Sequence, residues 1–228
     1  RRMNAAIAFE KYLRCLETVA PVQAQGKVAQ VVGLVVEAIG PACRLGAVCD
    51  IHTPDTASPL AAEVLGFRGQ RVLLMPLEEI RGISPGCRVV PRQQRATVAV
   101  GPGLLGRVVD GRGVPIDAKG PLDAADEVPL YAAGVNPLRR RRIHEPLDLG
   151  VRAINGLLTV GCGQRVGIFA GSGVGKSVLL GMIARNTVAD VNVIALIGER
   201  GREVNDFLEK DLGPEGLQRS VVVVAPSD

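Results

Sequence analysis

Ala170-Gly171-Ser172-Gly173-Val174-Gly175-Lys176-Ser177 fits the phosphate-binding loop pattern G-x-x-x-x-G-K-[ST], with Ala170 in place of the first glycine. The run before it, Arg165–Phe169, predicts a short buried strand. The run after it, Val178–Arg185, has helical spacing and good helix formers. Glycines let such a loop bend until successive backbone N–H groups turn inward on an anion. The helix that starts there adds its own unpaired N–H groups and its dipole, favouring a phosphate by up to about 2 kcal/mol. Gly171, Ser172, Gly173, Val174, Gly175, Lys176, Ser177 and Val178 are therefore the candidate nucleotide-binding residues. Lys176 would reach the β- and γ-phosphates and the Ser177 hydroxyl would hold Mg²⁺. The plainer alternative is a glycine-rich turn between a strand and a helix.

Working outward, 228 residues suffice for one large domain or two modest ones. Tryptophan is absent and aromatics make up 3%, so packing rests on Val, Leu, Ile and Ala. The longest apolar runs, Val191–Ile197 and Val221–Ala225, are too short to span a bilayer. No signal-peptide apolar core follows Arg1-Arg2-Met3. Five cysteines, Cys15, Cys43, Cys49, Cys87 and Cys162, form no C-x-x-C pair, which argues for reduced thiols in a cytosolic protein and against a zinc site or disulfide framework. The net charge of +4 allows an anionic partner without requiring one.

Along the chain, residues 1–24 read as an N-terminal helix, since Phe9, Leu13 and Leu16 recur at helical spacing and Pro21 stops it. Residues 25–100 read as a small β-barrel or sandwich. Short β-branched runs (Val28–Ile39, Ala47–Ile51, Ala61–Phe67, Arg71–Met75, Arg88–Val90 and Thr97–Val100) are separated by turn sequences such as Thr53-Pro54-Asp55 and Ser84-Pro85-Gly86. Small barrels that bind oligonucleotides stack bases on exposed aromatics, and Phe67 is the only aromatic in this span. Leu104–Asp117, dense in Gly, Pro and Asp, reads as a junction leading into an irregular stretch to Pro137. Arg139-Arg140-Arg141-Arg142 is by default a solvated surface, with an RNA or lipid-headgroup contact as the sharper reading. His52 and His144 stand alone and receive no role.

Beyond the phosphate loop, Asn192–Ile197 predicts a second buried strand, with Gly198-Glu199-Arg200-Gly201-Arg202-Glu203 at its end. Ligands of open α/β sheets sit at the carboxyl ends of strands, so this turn should face the same side as the loop. There a carboxylate can polarise an attacking water and an arginine can bind a γ-phosphate. Equally, the four charges can simply pair with one another on the surface. A helix over Glu203–Leu212, stopped by Gly213-Pro214, and a third parallel strand over Ser220–Ala225 complete the expected pattern.

Phe169–Met182 together with Gly198–Val204 resembles the flagellar and type III secretion ATPases, homologues of the rotary ATP synthase catalytic subunit. Leu104–Asp117 matches that family's junction and Pro146–Asn155 its Leu-x-x-Gly-[Val/Ile]-[Arg/Lys]-x-Ile segment. Gly66–Arg71 and Leu74–Glu79 are more similar to the flagellar branch. The resemblance implies an N-terminal barrel followed by the first part of a RecA-like α/β nucleotide domain, here residues 101–228. It implies MgATP as substrate and Lys176, Glu199 and Arg200 as catalytic residues. In that scheme Glu199 activates the lytic water, Arg200 contacts the γ-phosphate, and Glu203 supports Mg²⁺ through water. It further implies a cytoplasmic homohexamer peripheral to the inner membrane, partnered by stator, regulator and stalk proteins, that releases export substrates from chaperones. Nucleic acid is not an expected partner.

Members of that family continue for roughly as many residues again, through a Walker B aspartate and a ring-neighbour arginine. Such an arginine contributes about 10³–10⁵ in rate, so this stretch alone is expected to hydrolyse ATP slowly or not at all. Two other functions fit the same plan: a Rho-type RNA-dependent ATPase, and an inactive chain serving only in ring contacts.

Overall fold

Six short strands close on themselves at the start of the chain: β1 (Gly26–Val32), β2 (Val35–Ile39), β3 (Ala47–His52), β4 (Leu60–Arg68), β5 (Arg71–Pro76) and β6 (Arg88–Arg95). They form a closed antiparallel barrel in the order β1-β2-β5-β4-β3-β6. Gly26 paired with Val89, and Lys27 with Arg88, close it. The computed structural model from which this follows describes residues 24–227, apart from 57, 79, 124–125, 132–133 and 172. The expected N-terminal helix lies outside those residues. The run Val28–Ile39 is a hairpin, broken at Gly33, whose φ of +59° suits glycine.

Alternation decides what fills the barrel. Val28, Val36, Ala38, Cys49, Ile51, Ala62, Val64, Val72, Leu74 and Val89 form its core, with no aromatic among them. Glu37, of opposite parity to its neighbours Val36 and Ala38, is nonetheless buried. Arg71 and Arg68 donate to its two carboxylate oxygens at 2.7 and 2.9 Å, and Gln30 at 3.0 Å. Those donors hold its carboxyl below the usual range, the Arg71 hydrogen bond foremost.

Residues 97–228 form a second compact unit. Here β8 (Arg107–Asp110), β10 (Asn192–Ile197) and β11 (Ser220–Ala225) make a parallel sheet in the order β10-β11-β8. β7 (Thr97–Val100), expected among the barrel strands, pairs instead with β9 (Asp126–Pro129). The barrel is already closed by β1 and β6 and has no free edge to offer it. The helices are α1 (Arg152–Leu157), α2 (Lys176–Asn186), α3 (Gly201–Asp206) and α4 (Gly213–Gln218). A π-helical stretch, Phe207–Leu212, joins α3 to α4. The expected helix over Glu203–Leu212 therefore begins at Gly201. Gly213-Pro214 does not end the helical run but restarts it, because proline is tolerated in a first turn where its missing N–H is not needed. Val108, Ala184, Leu196, Val204, Phe207, Leu212, Val222 and Val224 form this unit's core.

The strand expected at Arg165–Phe169 is not formed. A parallel strand needs a neighbour's ladder of hydrogen bonds, and this segment pairs with none of the described strands. Phe169 is 97% exposed in consequence. β10, at the sheet's edge, likewise leaves Val193 and Ile197 open while Leu196 faces the core. The run Arg139–Arg142 lies on the surface and makes no ion pair among the described residues. Cys43, Cys49, Cys87 and Cys162 are free thiols, and burial pushes Cys49 up to about 12. No described helix is long and apolar enough to cross a membrane.

Candidate functional site

Two glycines of the candidate loop take backbone conformations that favour glycine. Gly173 and Gly175 sit at φ +76° and +96°, where a side chain would strain the backbone. Gly175 ends the turn as N-cap of α2, and its carbonyl accepts from Leu179 N–H at 2.9 Å. The cap offers no side-chain acceptor to the first N–H groups of α2. Those belonging to Lys176, Ser177 and Val178 have no intrahelical partner and are available to an anion. Gly171, Gly173, Val174, Gly175, Lys176, Ser177 and Val178 all lie exposed, and Ser172 falls outside the described residues.

α2 is anchored at its far end, which fixes where its first turn points. Thr187 donates its hydroxyl to the Asp148 carbonyl at 3.0 Å, and Val188 N–H reaches the same oxygen at 3.1 Å. The Asp148 carboxylate in turn accepts from Gly150 N–H and from the Asn155 amide, both at 2.6 Å. Asn192 on β10 donates to the Ala184 carbonyl of α2 at 2.8 Å. Gly181 lets the helix lie against the π-helical stretch: a Cβ there would stand 2.5 Å from the Asp211 carbonyl oxygen. Sequence reading missed this clasp; its one signal was the segment Pro146–Asn155.

Glu199 is placed by the end of β10. Gly198 N–H donates to the Ala225 carbonyl at 2.8 Å, and the Glu199 carbonyl accepts from Ser227 N–H at 3.1 Å. Gly198, at φ +73°, turns the chain out of the strand. The Glu199 Oε1 then stands 3.7 Å from Lys176 Nζ, so the carboxylate and the loop lysine share one site. Arg200 caps α3, and its Nη1 lies 3.7 Å from Oε1 of Glu203 one turn on. The site thus groups Lys176 with Glu199 and, separately, Arg200 with Glu203. At 3.7 Å both are ion pairs too long for hydrogen bonds.

The sequence also missed the brace that holds the junction to the sheet. Arg107 on β8 is buried and grips Asp117 with two hydrogen bonds, 2.7 and 2.9 Å, while donating to the Gly120 carbonyl at 2.7 Å. Asp117 also accepts from Val108 and Lys119 N–H groups. The Arg107 guanidinium is the largest of the causes that hold its carboxyl well below the usual range.

Among the described residues no three His, Cys, Asp or Glu side chains cluster as a metal cage. The loop carries a hydroxyl, Ser177, and the helix that follows β10 carries a carboxylate, Glu203. These hard oxygen donors suit Mg²⁺, which takes one or two protein ligands and completes its shell with phosphate oxygens and water.

Two models of the ATP synthase alpha/beta family match the chain: its beta-barrel domain over residues 28–92 and its nucleotide-binding domain over residues 150–228. The flagellum-specific ATP synthase of Pseudomonas aeruginosa is 48% identical over 100% of the chain and 51% of its own length. That of Salmonella typhimurium is 51% identical with the same coverage, and the type 3 secretion system ATPase of Xanthomonas euvesicatoria is 49% identical over 94% of the chain. The chain spans about half the length of the curated relatives it matches. Among solved structures, the assembled ATPase EscN of the enteropathogenic E. coli type III secretion system superposes with a TM-score of 0.77 at 43% identity. That match covers 89% of this chain and 48% of EscN. EscN in complex with its central stalk EscO gives 0.78 at 44% identity.

Proposed function

The chain belongs to the ATP synthase alpha/beta family, beside the flagellar and type III secretion ATPases, and from that premise we propose that it binds and hydrolyses MgATP to drive protein export. The observation that carries this reading is the 3.7 Å approach of Glu199 to the loop lysine Lys176. A carboxylate at that distance from the cation that takes the terminal phosphates is within reach of a water lined up behind the γ-phosphorus.

In the proposed mechanism the residues from Gly171 to Val178 wrap the phosphate tail with N–H groups. Lys176 balances charge on the β- and γ-phosphates. Ser177 and, through water, Glu203 would hold Mg²⁺, which when bound neutralises charge on the phosphate oxygens. Glu199 orients the water and accepts its proton; Arg200 contacts the γ-phosphate as charge spreads over its oxygens. Catalysis of this kind is mostly positioning, and the anchored ends of α2 and β10 supply it.

Two further parts of the proposal concern the assembly. The assembled state and stalk partner of EscN support a ring, a homohexamer in our reading, that engages a stalk protein. Stator and regulator proteins, chaperone–substrate complexes and a cytoplasmic site peripheral to the inner membrane complete the reading. A Rho-type RNA translocase is not favoured: the barrel's core lacks aromatics, and Phe67, half exposed, is the sole stacking surface in it.

Titration of the intact protein with a fluorescent ATP analogue tests the site. Lys176→Ala is expected to weaken binding into the millimolar range, and equal affinity for variant and wild type would overturn the loop assignment.

A further inference from the structure

Lys176 and Glu199 have each other as sole side-chain partners among the described residues. Both main chains are fixed: Lys176 opens α2, whose far end is clasped by Asp148, and Glu199 is pinned to the end of β11 through Gly198 and Ser227. The carboxylate can therefore leave the lysine by rotating its own side chain, without movement of either element. We propose that Glu199 holds Lys176 in the nucleotide-free site, so that an incoming triphosphate must displace this carboxylate to reach the lysine. Displacement frees Glu199 for the water, which makes it an affinity-determining residue as well as the base. Binding and activation are coupled through one contact: the phosphate tail that occupies Lys176 is what releases the base that takes the proton of the attacking water. This rests on the ATPase reading above, and the test separates the two.

Both side chains are partly exposed, 43% for Lys176 and 33% for Glu199, so the pair is screened and of modest strength. Breaking it should raise nucleotide affinity by about two- to five-fold. The experiment is a double-mutant cycle on the intact protein: wild type, Glu199→Gln, Lys176→Gln and the double variant. Each is titrated to millimolar concentrations of a fluorescent ATP analogue with Mg²⁺, at about 0.05 and about 0.5 M salt. Glu199→Gln should bind more tightly than wild type, the gain should shrink at high salt, and it should vanish in the Lys176→Gln background. Unchanged or weaker binding by Glu199→Gln overturns the proposal. So does an equal gain with and without the lysine, which would mean that the carboxylate merely repels phosphate. If Lys176→Gln binds as wild type does, the phosphate-loop reading itself fails.

Discussion

At single residues, two glycines in helices separate packing from propensity. Gly156 in α1 faces open space, so Gly156→Ala should raise thermal stability by roughly the 1 kcal/mol of its helix propensity. Gly181 in α2 faces the Asp211 backbone, so Gly181→Ala should lower stability by about 1–3 kcal/mol despite the same propensity gain. Paired thermal melts decide it, and equal shifts would contradict the close approach. Asp117 makes a pH prediction. Its folded pKa is depressed by Arg107, so the stability it contributes is fully present above the unfolded value near 3.9 and is lost as pH falls toward the folded one. Wild type should therefore lose stability below about pH 4 more steeply than Asp117→Asn, in melts followed from about pH 5 down to about pH 2.

Elements show how far local sequence reaches. The barrel strands were legible because each alternates about turns of Gly, Pro and Asp, and the loop-to-helix turn was legible because glycine and lysine at fixed spacing have few other uses. Two failures have one physical cause: partners distant in sequence. Arg165–Phe169 has strand composition but no ladder to join, and Thr97–Val100 found β9 rather than the barrel. The restart at Gly213 was hidden because Gly-Pro reads as a stop, although Pro in a first turn sacrifices no hydrogen bond. Of the site, Lys176 and Glu199 were readable from the motif and the strand end, whereas the Asp148 clasp and the Arg107–Asp117 brace depend on tertiary contacts. Hydrogen exchange checks the strand result: amides of β10 and β11 should exchange far more slowly than those of 165–169, and equal protection would contradict it.

For the whole molecule, each unit has its own core, one built of barrel strands and the other of a parallel sheet with its helices. The intact protein should gain mass toward a hexamer in size-exclusion light scattering when MgATP is added, and Lys176→Ala should not. Whether Glu199 activates water against a phosphate held at Lys176 is read by single-turnover cleavage of γ-labelled MgATP by the intact protein, with bound nucleotide counted in the same samples. Glu199→Gln should keep its nucleotide and cleave it about 10²–10⁴-fold more slowly than wild type; cleavage at the wild-type rate with the site equally filled would rule out Glu199 as the base.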